Sequence, residues 1–231
     1  MYIDITYIVL VIPAVIFSLV ASARVSSTFK KYSKIASKRN LTGYDAARYV
    51  LDYNGLSNIP IERISGNLTD HYDPAANVIR LSSSVYGSNS TAAIGVAAHE
   101  AGHAIQHANG YLPIKVRSAI IPVTNFASRL SVPLIIIGFL ISGTIGTHLV
   151  NIGIIGFALC AFFQLVTLPT EFNASSRALK SLESFNILDT DELKGAKKVL
   201  SAAAMTYVAA LAVSLTQLLR FIILANGRRS D

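Results

Sequence analysis

A single cysteine, Cys160, stands among 231 residues, which excludes an internal disulfide framework. It lies inside an apolar run and reads as a small hydrophobe, silent about redox compartment. Charge is scarce as well: Asp, Glu, Lys and Arg make up 14% of the chain, against 52% for the hydrophobic types. That balance is too apolar for an ordinary soluble domain and assigns the chain to a lipid bilayer. The scarcity is also uneven, because after Arg129 no Asp, Glu, Lys or Arg appears until Glu171. The net charge of +7 does not indicate a nucleic-acid partner, since no aromatic-rich basic motif accompanies it. Lys and Arg beside apolar stretches instead serve membrane orientation.

Against this apolar background stands Ala97-Ala98-His99-Glu100-Ala101-Gly102-His103-Ala104, an H-E-x-x-H pattern. On a helix, two histidines four residues apart project from one face and can hold one metal ion, here zinc. Glu100 then sits beside the open coordination position, where a carboxylate takes a proton from water on the metal and returns it to a leaving amine. The competing reading is a chance pattern whose histidines merely pack. The surroundings oppose it: Ser88, Ser90 and Thr91 offer N-caps, Ala92 to Gln106 reads as unbroken helix, and Asn109-Gly110 is a stop signal. Two imidazoles on a face otherwise made of Ala, Val and Ile also need a partner. A metzincin would need Gly at 106 and His at 109, where this chain has Gln106 and Asn109. A site-2-type intramembrane protease would need a Leu-Asp-Gly partner motif, and none occurs.

Along the chain, Ile5 to Ala23 has the length of one crossing, with Pro13 as a kink. Ala21-Ser22-Ala23 resembles a signal-peptidase site. However, Asp4 precedes the segment and Arg24, Lys30, Lys31, Lys34, Lys38 and Arg39 follow it, which favours a retained anchor with the basic side in the cytoplasm. Leu41 to Tyr53 reads as a short amphipathic helix with Thr42 as its cap. Ile59 to Ile64 and Val78 to Leu81 read as strands around a turn-rich piece, Gly66 to Pro74. Asn77 to Ser82 is the candidate edge on which a substrate backbone adds as a strand; the alternative is an ordinary structural strand. The uncharged run after Arg129 suits two crossings, with cores Val132 to Ser142 and Ile152 to Leu168 and a turn at Gly143 to His148. Val199 to Leu219 is long enough to span, yet a full crossing puts Arg220, Arg228 and Arg229 outside, so an interfacial helix competes. The expected divisions are an anchor at 1–23, a zincin-like region at 24–131, a membrane hairpin at 132–169, a ligand-bearing helix at 170–198 and an apolar helix with its tail at 199–231.

The hairpin returns Glu171 to the face of the membrane that carries the histidines. A catalytic zinc site takes three protein ligands and keeps one position open, so Glu171 is the candidate third ligand; the plainer reading is a glutamate favoured at a helix start. His71 can donate to the oxyanion of a tetrahedral intermediate or serve as a turn histidine among its aspartates. His107 is rotated by roughly 80° from His99 on an ideal helix and suits a supporting or surface place. Tyr207 can face the site as an oxyanion donor or pack at the interface.

Leu68 to Pro74, Ile79-Arg80-Leu81-Ser82, Val96 to His107 and Leu168 to Ser175 together resemble the YugP-type bacterial membrane zinc metallopeptidases, over nearly the whole chain. More distantly the chain is similar to HtpX-type and CAAX-prenyl-type membrane gluzincins. The resemblance implies one zinc ion held by His99, His103 and Glu171, with Glu100 as the base. Relatives carry an Asp four residues after the third ligand. Here that place is Ser175, and Asn173 or Ser175 stands in for it. The expectation is therefore a mainly α membrane protein with three or four transmembrane helices, a zincin-like helical site and a small β-sheet. It would be a multi-pass zinc endopeptidase of the bacterial cell membrane, cutting membrane or membrane-adjacent proteins on the cytoplasmic side. The alternative is a zinc-stabilised membrane scaffold or chaperone partner that binds without cutting.

Overall fold

Four helices carry the apolar stretches in a computed structural model that describes residues 4–230, the side chains of 228–230 excepted. Arg228 and Arg229 thus lie outside the described side chains. Helix α1 spans Ile12–Tyr32, α5 Leu112–Leu140, α6 Gly143–Ser184 and α7 Thr190–Ser230. Each is long and apolar enough to cross a bilayer. Between α1 and α5 come α2 (Gly43–Tyr53), β1 (Ile61–Ile64), β2 (His71–Asp73), β3 (Val78–Ser82), α3 (Ser83–Tyr86) and α4 (Thr91–Ala108). The chain is a mainly α membrane protein with a small three-stranded sheet. Its contacts divide it into two units, one of Met1–Ala21, Val116–Leu168 and Thr206–Asp231, the other of Ser22–Lys115 and Pro169–Met205.

In the first unit, Tyr7–Val11 forms a π-helical turn leading into α1, with the Ile12 N–H donating to the Tyr7 carbonyl. Pro13 follows and has no N–H to offer the turn before it, which is where such widening is expected. Ile141 and Ser142 link α5 to α6, and Gly143 takes φ +81, so the turn is shorter than the Gly143 to His148 stretch expected. The hairpin packs through missing side chains: a Cβ on Gly153 would lie 2.7 Å from the Ser131 carbonyl oxygen and 2.5 Å from Ile135 Cγ1. Close backbone approach at small residues is how helices associate where lipid removes the hydrophobic drive. Arg220 gives Nε and Nη2 to Asp4 Oδ2 at 2.8 and 2.6 Å, so this cation on α7 is neutralised by the amino-terminal segment.

In the second unit, Thr42 and Asp45 form a reciprocal capping box that starts α2. Ser90 caps α4 by accepting from the Ala93 N–H, and Gly110 at φ +63 follows its end. The small residues Ala93, Ala97, Ala98, Ala101 and Ala104 are buried on α4 and let neighbours approach closely. Leu51, Ile79, Leu81, Ile94, Leu182 and Ile187 fill the core around it, each burial contributing about 1.5–3 kcal/mol.

Three expectations change. The sheet order is β1-β3-β2, with β1 parallel and β2 antiparallel to β3. The Asn77 to Ser82 stretch is therefore central and no free edge. The partner missing from the sequence reading was β2, whose Asp70-His71-Tyr72-Asp73 composition looks like a turn but pairs over His71–Asp73. Glu171 does not begin a helix, because α6 runs through Pro169 without a break, and the plainer reading of Glu171 as a helix-initiating acid falls away. The charged segment before Val199 is likewise continuous with the apolar one, since α7 starts at Thr190.

Candidate metal centre

The centre is built where α4 meets α6. Gly102 lies one residue before His103, and a Cβ there would sit 2.5 Å from the Ala174 carbonyl oxygen. Only glycine permits this approach, and Glu171 stands three residues before Ala174, close to one turn back along α6. The result is a convergence of His99, His103 and Glu171, whose ligand-type atoms lie within 4.8 Å of one another. His99 Nε2 is 3.2 Å and His103 Nε2 3.5 Å from Glu171 Oε2. Glu171 is 2% exposed.

The far side of each ring is also held. Ser175 Oγ lies 3.1 Å from His99 Nδ1, and Gln106 Oε1 lies 3.0 Å from His103 Nδ1. Gln106 is fully buried, and its Nε2 donates to the Thr170 carbonyl at 2.7 Å and to Asn173 Oδ1 at 3.0 Å. Two acceptors on the amide nitrogen fix the amide orientation, so Oε1 faces the ring and His103 Nδ1–H is the donor. That leaves Nε2 as the ring nitrogen of His103 that faces the Glu171 carboxylate. Two imidazole nitrogens and a buried carboxylate oxygen converging on one point are a donor set that fits a divalent metal.

Glu100, next to His99 on the same helix, is held from β2. Its Oε2 accepts the backbone N–H of Tyr72 at 2.9 Å. Burial pushes its carboxyl up to about 7; His99 opposes the rise, and the carboxylates of Glu171 and Asp70 add to it. Asp70, whose carboxyl is itself raised by burial, accepts the Ser82 N–H and hydroxyl and so ties the start of β2 to the end of β3.

The remaining candidates separate. His107 Nδ1 is 3.2 Å from the Tyr72 hydroxyl, which donates to Asn77 Oδ1 at 2.8 Å, so His107 and Asn77 steady Tyr72 and lie outside the metal-type group. Asn77 takes φ 52 beside the turn between β2 and β3. His71 is exposed, its Nδ1 2.9 Å from the Thr69 carbonyl. Asn173 also receives Arg177 Nε at 2.7 Å, so it reaches the histidines only through Gln106. Tyr207 belongs to the other unit. Sequence reasoning missed Gln106 and Tyr72. The signal for Gln106 was a polar side chain one turn beyond His103 on a helix that is otherwise small and apolar.

A family model described as "Putative neutral zinc metallopeptidase" matches residues 7–226. The chain belongs to that family. It is also 49% identical over 223 residues to "Putative membrane protease YugP" of Bacillus subtilis (strain 168), covering 96% of this chain and 98% of that protein. No solved structure matches it. Membership supports a zinc-dependent, protease-type activity in a membrane protein, and His99, His103 and Glu171 are a group able to hold the ion.

Proposed function

We propose that the chain is a membrane-embedded zinc endopeptidase, with His99, His103 and Glu171 as ligands of one ion and Glu100 as the general base. The observation that carries this reading is the convergence of His99, His103 and Glu171 within 4.8 Å of one another, with a second buried carboxylate, Glu100, next to His99 and outside that group. A structural zinc site has no use for the second carboxylate. Bound zinc would polarise the scissile carbonyl and acidify water.

The chain's own groups supply the rest. Glu100 takes a proton from the attacking water and delivers it to the leaving amine, and its burial lets it hold that proton between the two transfers. The Tyr72 N–H keeps the carboxylate in place, with Asn77 and His107 holding the Tyr72 ring behind it. Gln106 accepts the Nδ1–H of His103 and so presents its Nε2, and the Ser175 hydroxyl holds the His99 ring at Nδ1. Asn173 supports Gln106. His71, next to Tyr72 on β2, and Tyr207 are the candidate donors to a developing oxyanion. The peptide comes from membrane or membrane-adjacent proteins of the bacterial cell membrane, and the Lys and Arg cluster that follows the first span supports a site on the cytoplasmic side.

Glu100→Gln decides between this and a zinc-stabilised scaffold. In proteoliposomes carrying a susceptible membrane protein, the variant should keep its zinc and lose cleavage by about 10²-fold or more. Full function in Glu100→Gln would instead support binding without hydrolysis.

A further inference from the structure

Away from the metal centre, the lower part of α1 and the start of α7 enclose a groove of about 570 Å³. Arg24, Lys31 and Tyr32 reach it from α1, and Lys194, Lys197 and Lys198 from α7. With Thr28 between Arg24 and Lys31, the lining residues recur at three- and four-residue intervals on each helix, so two faces distant in sequence turn their cations to one space. No carboxylate lines it among the described residues. Lys194 is tied to Asp191 at 2.9 Å, whereas Arg24, Lys31, Lys197 and Lys198 make no ion pair among the described residues. Tyr32 is seated against Gly195, where a Cβ would come within 2.8 Å of its ring, and Lys31 lies 5.7 Å from the centre of that ring. One end of the groove is apolar, lined by Ala202 and Met205, where α7 continues into its apolar stretch; on α1, Arg24 directly follows the apolar stretch of that helix.

We propose that this groove binds an anionic glycerophospholipid, the phosphodiester lying among the four unpaired cations and the acyl chains leaving past Met205. Like charges gathered without a carboxylate repel one another unless an anion joins them, and each Lys or Arg held at a headgroup adds to lipid affinity. An inorganic phosphate would use the cations but has no use for the apolar end. A general excess of positive charge near the membrane would use neither the seating of Tyr32 nor the convergence of two helix faces.

The test is calorimetric titration of the purified full-length protein, in neutral detergent, with a short-chain phosphatidylglycerol. Lys197→Gln with Lys198→Gln should weaken binding about tenfold or more, since each removes a headgroup contact. Lys30→Gln with Lys34→Gln makes the same charge change outside the groove and should leave the affinity within about twofold by the same electrostatic reasoning. Equal losses in the two double variants would overturn the site, because general attraction would then account for the binding. Displacement of the lipid by an excess of inorganic phosphate would overturn the lipid as its occupant. Retention of the lipid under that excess, with the groove variant alone impaired, is the supporting result.

Discussion

Gly102→Ala puts the geometry of the metal centre to its most direct test. The added methyl would lie 2.5 Å from the Ala174 carbonyl oxygen and 3.1 Å from its carbon, both backbone atoms inside a helix that cannot swing aside. Ordinary contact begins near 3.4 Å, so α4 and α6 must part locally by about 0.9 Å. His103 follows Gly102 and Glu171 lies close to one turn before Ala174, so the separation passes into the gap that the metal would bridge. Ligand distances tolerate about 0.2 Å, several times less than this displacement. Zinc affinity, measured by competition with a chromophoric chelator, should fall by at least about tenfold, the scale of a lost supporting contact. Overpacking should also cost about 1–3 kcal/mol of stability, read from melts with and without zinc. Gly87→Ala is the control, since no atom lies within 4 Å of a Cβ there. Zinc affinity in Gly102→Ala within twofold of the parent would refute the view that this helix contact sets the ligand spacing.

Glu171→Gln should weaken zinc binding by about an order of magnitude or more, while His107→Ala retains most of the metal; the reverse ranking would remove Glu171 from the ligand set. Chelation should abolish cleavage yet leave helical content by circular dichroism nearly unchanged, because the buried apolar core does not depend on the ion; collapse of the helices would favour structural zinc. Asp4→Asn should lower stability in detergent by about 2 kcal/mol, since it removes the negative charge that both Arg220 nitrogens donate to, and a double-mutant cycle with Arg220→Gln that shows no coupling would discount the pair. In a Cys160→Ser background, Lys34→Cys and Lys180→Cys should resist impermeant thiol reagents in intact cells and Thr147→Cys should label; the opposite pattern would invert the proposed orientation.

The parts of the protein that were legible in the sequence are those set by local chemistry. His99 and His103 share a face because a helix repeats every 3.6 residues, and the caps at Ser90 and Gly110 confine that helix without tertiary help. The uncharged run from Arg129 to Glu171 implies a hairpin because a bilayer admits a span of about twenty residues. The same hairpin made Glu171 the candidate third ligand, and family resemblance added the place of Ser175, whose hydroxyl the structure sets against His99.

What the sequence left open depends on partners far along the chain. Asp70-His71-Tyr72-Asp73 carries turn-like polarity, and it becomes a strand only because β3 offers it a free ladder, which in turn makes β3 central. Gln106 shows no motif of its own; its role arises when Thr170 and Asn173 occupy its amide nitrogen and leave the oxygen for His103. Pro169 reads as a helix boundary because proline lacks a donor, but the tertiary structure carries α6 straight through it and places Glu171 in mid-helix. Helical periodicity is a property of neighbours in sequence and can be read there, whereas strand pairing, amide orientation and the approach of α4 to α6 at Gly102 exist only once distant segments meet.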